Sequence, residues 1–205
     1  MPKISQKRSI QQYWNSLIYM QTALSFHPET QELISEFQPL MRRLEQLIQD
    51  EKQWTQSMLN SKARLLAARQ TWKLGFNRLL KFLNTFDYAV VREIQEPILE
   101  VYPRGNRGAD YDVQVKNAKV IFQSLLNGQE LSTELRAKLE SMVHTGEKVL
   151  HLWDEHQAVL MQKEHMKQEQ TEAKNEINMA LQRVEKKLKK MFPYEHRYLR
   201  TFFYK

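Results

Sequence analysis

Apolar side chains recur along most of this chain in alternate steps of four and three. One series runs from Leu33 through Phe37, Leu40, Leu44, Leu47, Glu51, Trp54, Met58, Ser61, Leu65 and Ala68 to Trp72. A second runs from Leu135 through Leu139, Met142, Gly146, Val149, Trp153, His156, Leu160, Lys163, Lys167, Gln170, Lys174, Ile177, Leu181 and Val184 to Leu188. Residues three and four apart share one side of an α-helix, so each series predicts a long helix with a single seam, spaced as in a coiled coil. Ile34, Met41, Ile48, Phe76 and Leu83 widen the first seam, as expected of a helix packed in a bundle.

The two series also resemble each other. Sliding the chain by 102 residues sets IYMQTAL (18–24) on VIFQSLL (120–126), and Gln21, Leu24, Glu32, Leu33 and Glu45 meet identical residues at Gln123, Leu126, Glu134, Leu135 and Glu147. The expected fold is therefore all-α: an elongated, coiled-coil-like helical bundle of two tandem helical repeats. Repeat 1 covers residues 1–102 and repeat 2 covers 111–205, the two packing as one structural unit. Between them YPRGNRG forms a connector at 103–110, because Pro103 biases Tyr102 to extended backbone and Gly105 and Gly108 permit positive φ. Each repeat should hold a leading helix (about 5–25 and 111–127) and a longer helical segment (about 29–99 and 132–191). Thr30 and Ser132 or Thr133 are available as caps. Pro39 is expected to bend its helix, Phe86 to mark an irregularity, and Pro97 an end or a kink. The polar middles of the long segments leave a second arrangement open, two three-helix bundles with turns near residues 60 and 165. The unbroken four-three phase and the lack of Gly or Pro there favour continuity.

Composition agrees with this plan and removes several chemistries. Five glycines and six prolines in 205 residues leave few turns, and the absence of cysteine excludes disulfides, thiol nucleophiles and zinc–thiolate sites. No apolar run suits a signal peptide or a membrane span, so a cytoplasmic location is expected. His144, Glu147, His151 and Glu155 share one helical face, but Glu-x-x-His and His-Glu-x-x-His are both missing, so no metal or other cofactor is implied. Gly-x-Ser-x-Gly is missing too. The adjacent carboxylates Asp50–Glu51 and Asp154–Glu155 diverge by about 100° on a helix and cannot work as an acid/base pair. The connector lacks Walker spacing. No enzyme activity and no small-molecule substrate are expected.

Charge supplies the binding candidates. The net charge is +7, and no acidic residue occurs between Lys52 and Phe86, where Arg64, Arg69 and Lys73 lie. Lys62 and Arg69 border the seam and could face Glu164, Glu169 and Glu172 of the second long segment. A second concentration, Lys186, Lys187, Lys189, Lys190, Arg197 and Arg200, alternates with Phe192, Tyr194, Tyr198, Phe202, Phe203 and Tyr204 near the C-terminus. Such mixtures suit phosphate contact with base stacking, or an anionic membrane surface, while Val184, Leu188 and Met191 or Phe192 would instead dock the segment onto the bundle. The leading expectation is a non-catalytic helical scaffold or protein–protein interaction module, binding a protein partner or its own copy. Nucleic-acid or polyanion binding through the basic arm and the C-terminal segment is the alternative, and peripheral membrane association is a weaker one.

Overall fold

The computed structural model describes residues 4–101, 110–128 and 130–203, and shows an all-α bundle with no strand among them. Helix α1 (Ile10–Ser25) opens on a reciprocal cap. The Ser9 hydroxyl accepts from the Gln12 amide while the Gln12 side chain accepts from the Ser9 amide, satisfying two N–H groups that a helix start leaves unpaired. A 3-10 segment, Pro28–Glu36, leads into α2 (Gln38–Leu83). A turn at 84–86 then separates α2 from α3 (Tyr88–Glu100), near the expected irregularity at Phe86. Helices α4 (Asp110–Gly128) and α5 (Thr133–Met191) follow, then the short α6 (His196–Leu199) and a 3-10 turn, Arg200–Phe202. The long helices pass residues 60 and 165 without a break. The connector expected at 103–110 lies outside the described residues except for Asp110, which starts α4.

Two local expectations need correction. Thr30 does not cap the following helix: its buried hydroxyl donates to the carbonyls of Leu24 (2.7 Å) and His27 (3.0 Å), closing off the end of α1. Pro39 is the second residue of α2, where a missing N–H costs no helical hydrogen bond, so it starts a helix instead of bending one. Pro97 lies in the last turn of α3, which ends at Glu100. Ser132 does cap α5, accepting from the Leu135 amide at 3.3 Å.

The chain forms two compact units, and each combines segments from both sequence halves. The first is made of residues 1–56 and 161–205. Its core joins Tyr13, Leu17 and Leu24 of α1 to Phe37, Leu44 and Leu47, and to Ile177, Leu181, Val184 and Leu188 of α5, with Leu199 and Phe202 closing one side. The start of α2 runs antiparallel to the end of α5, with Arg43 paired to Glu176 at 2.6 Å and Glu51 accepting from Gln170 at 3.3 Å. Asn178 is buried beside α1, where it bonds the Ile4 backbone through both amide atoms and the Tyr13 hydroxyl.

The second unit, residues 57–160, has its own core. Trp72, Phe76, Leu79 and Leu83 of α2 meet Val115, Ala118 and Phe122 of α4 and Leu135, Leu139, Met142 and Val149 of α5, with Ile98 contributed by α3. The Trp72 ring lies 5.2 Å from Phe76 and 6.1 Å from Tyr111, and Phe76 lies 5.7 Å from Phe122. Gly146 occupies a seam position for a steric reason: a Cβ there would stand 3.3 Å from Trp72 Nε1 and 3.5 Å from Val115 Cγ1. Between Leu47 and Ser61 α2 has no buried residue, nor has α5 between Leu152 and Ala173. The polar seam positions there still meet: Lys163 Nζ sits 5.3 Å from the Trp54 ring in the first unit, and Ser61 bonds His156 Nδ1 at 2.9 Å in the second.

Candidate functional site

The core of the second unit fixes which way α2 faces. With about 100° between successive residues, burial of Leu65, Ala68, Trp72, Phe76 and Leu79 turns Leu59, Ala63, Leu66, Gln70 and Leu74 outward. Leu59, Leu66 and Leu74 are 56%, 52% and 46% exposed. Scattered exposed leucines are ordinary, but three of them aligned over four turns of one helix form an apolar strip, interrupted only at Gln70. Exposed Lys62 lies on one margin of this strip and exposed Arg78 on the other, in a stretch without a carboxylate.

The predicted cations of this helix have separate fates. Arg64 remains mostly exposed and pairs with Glu155 at 3.1 Å. Lys73 is half-buried. Arg69 is a packing residue: its guanidinium lies 4.8 Å from the Tyr111 ring and 4.9 Å from the Trp153 ring, and the Tyr111 hydroxyl donates to the Arg69 carbonyl at 3.1 Å. Its buried Nε and Nη2 make no hydrogen bond among the described residues. Burial lowers its pKa, and burial raises that of Tyr111. Arg69 therefore does not join Arg64 and Lys73 in a basic surface. In the first unit Glu164 pairs with Lys167, Glu169 lies 3.7 Å from His165 Nδ1, and Glu172 pairs with Arg43.

The histidine face of α5 lines an open groove of about 400 Å³ with Arg64, Lys148 and Leu152. Its carboxylates already have partners. Glu147 bonds Lys119 at 2.8 Å, which lowers its pKa, and Glu155 lies between Arg64 and His151 Nδ1 at 3.4 Å. No group of three or more His, Asp or Glu side chains could hold a metal ion among the described residues. His156 is held against Ser61, and its pKa is lowered first by burial and then by the charges of Lys62 and Arg69.

In the first unit the basic-aromatic segment folds onto its core. Phe202 and Leu199 are buried, and Tyr198, Phe192 and Phe202 pack edge-on or stacked around one another. The Tyr198 hydroxyl lies 2.7 Å from His27 Nε2, and the Tyr19 hydroxyl donates to the Thr201 carbonyl at 3.0 Å. Lys187 and Arg183 both bind Glu36, whose pKa they depress, and Lys189 binds Glu185 at 2.8 Å. Lys186, Lys190, Arg197 and Arg200 are exposed, as is Tyr194.

Comparison with protein-family models, with curated proteins and with solved structures found no match. No helix among the described residues is long and apolar enough to cross a membrane. The strip on α2 was missed by sequence reasoning, which followed only the seam. Its signal was present as leucines left over at Leu59, Leu66 and Leu74, spaced by seven and eight on the face opposite Leu65 and Trp72.

Proposed function

We propose that this protein is a non-catalytic helical scaffold that binds another protein, built from two related helical units and working in the cytoplasm. The observation that carries the reading is the outward strip of Leu59, Leu66 and Leu74, half-exposed on a helix whose other side is locked into a core. A rigid helix with an uncovered apolar stripe offers the surface into which the side chains of a second helix interdigitate. Related units are supported by burial at positions 102 apart: Tyr13 with Val115, Ser16 with Ala118, Leu33 with Leu135, Phe37 with Leu139, and Leu47 with Val149. The test is a pull-down from native extract at moderate salt, comparing the wild type with Leu59→Gln/Leu66→Gln/Leu74→Gln. A discrete protein retained by the first and lost by the second is expected; equal retention by both removes the strip from the proposal.

Exposed Lys186, Lys190, Arg197 and Arg200 favour a second reading, polyanion binding through the C-terminal segment. Retention of nucleic acid that falls steeply with salt, and falls further when these four residues are replaced by Gln, would support it.

A further inference from the structure

We propose that the outward face of α2 from Leu59 to Leu74 docks an acidic amphipathic helix of a partner protein. This rests on the interaction reading and adds the partner's chemistry. The strip spans about 22 Å at 1.5 Å per residue, so a partner helix of about 15–18 residues would cover it. Leucines at two-turn intervals match the knob spacing of a helix laid alongside. The margins of such a contact lie over Lys62 on one side and Arg78 on the other.

No carboxylate lies anywhere between residues 52 and 86. The flanking positions of a docked helix therefore meet exposed Lys62 and Arg78, and Glu or Asp there gains attraction while Lys or Arg meets repulsion. The same charge argues against a second copy docked face to face, since twofold pairing would bring the Lys62 and Arg78 margins of the two copies together with no carboxylate of this stretch between them. A membrane is a poorer fit. The aromatic side chains best suited to interfacial insertion, Trp72 and Phe76, are turned into the core, and Gln70 interrupts the leucines.

The test uses the full chain and three fluorescent helical peptides of about 18 residues, identical along a leucine seam and carrying Glu, Gln or Lys at the flanks. In anisotropy titrations the Glu peptide should bind at least about tenfold more tightly than the Lys peptide. The Leu59→Gln/Leu66→Gln/Leu74→Gln variant should lose that binding, and Lys62→Glu/Arg78→Glu should shift the preference towards the Lys peptide. Unchanged far-UV circular dichroism would show that these outward substitutions leave the fold intact. Equal affinity for the three peptides, or Glu-peptide binding that survives in the leucine variant, overturns the proposal. So does strip-dependent self-association in light scattering, or strip-dependent flotation with phosphatidylserine vesicles. If the leucine variant loses a native protein partner while the peptides show no preference for Glu, the acidic-helix proposal fails and the scaffold reading stands.

Discussion

Replacing Gly146 by leucine tests the packing that holds the second unit together. The new side chain gains about 0.8 kcal/mol of helix propensity relative to glycine. It also pushes into space already taken, because even a Cβ would stand 3.3 Å from Trp72 Nε1, and Trp72 cannot retreat between Phe76 and Tyr111. Overpacking a filled core costs about 1–3 kcal/mol, so the steric effect wins and Gly146→Leu should be destabilising by about 0.2–2 kcal/mol. Trp72→Ala alone should cost about 3–5 kcal/mol by opening a cavity. Combined, the new leucine occupies part of that cavity, and the double variant should cost at least about 1 kcal/mol less than the sum. Urea titration followed by hydrogen exchange in peptides from α4 reports on the unit that contains both residues. If the two costs add to within about 0.5 kcal/mol, Gly146 is not there to make room for the indole.

Three further outcomes follow from the geometry. Arg69→Met should leave retention on heparin unchanged and stability within about 1 kcal/mol, because it removes a desolvated charge while keeping the bulk between Tyr111 and Trp153; earlier elution from heparin would return Arg69 to the surface. Glu36 has its pKa depressed below 4.5 by Lys187 and Arg183, so its contribution is present above pH 4.5 and lost as pH falls through the folded value. Glu36→Gln should accordingly flatten the acid limb of the stability profile, read from melting temperature against pH, by about 0.2–1 kcal/mol. His156 has its pKa lowered below 6.5, so the folded chain resists its protonation and stability should fall as pH drops below 6.5 towards the folded value; His156→Gln should remove that slope, and an unchanged slope would show that His156 is not its source.

The seam was legible because burial against a helix leaves a periodic trace, and its members Glu51, Trp54 and Ser61 do meet Gln170, Lys163 and His156. Periodicity says which side of a helix is covered, not by what. Arg69 therefore looked like a surface cation until Tyr111, from a distant helix, and Trp153 closed over it. The aromatic C-terminal residues were ambiguous for the same reason: Phe202 and Tyr198 are decided by His27 and the core beside it, which lie far away in sequence. Thr30 was misread because a hydroxyl beside a helix start can as well serve the end of the helix before it.

The interleaved division of the chain also sets an order of events during synthesis. Residues 57–160 form a contiguous stretch, so every part of their core is synthesised before residues 161–205. Residues 1–56 emerge before that stretch yet lack their partners until 161–205 appear. Tyr13, Leu17 and Leu24 must therefore wait through the translation of more than half the molecule before Ile177, Leu181 and Val184 arrive to cover them. During that interval α1 and the start of α2 are the part of the nascent chain most in need of a chaperone.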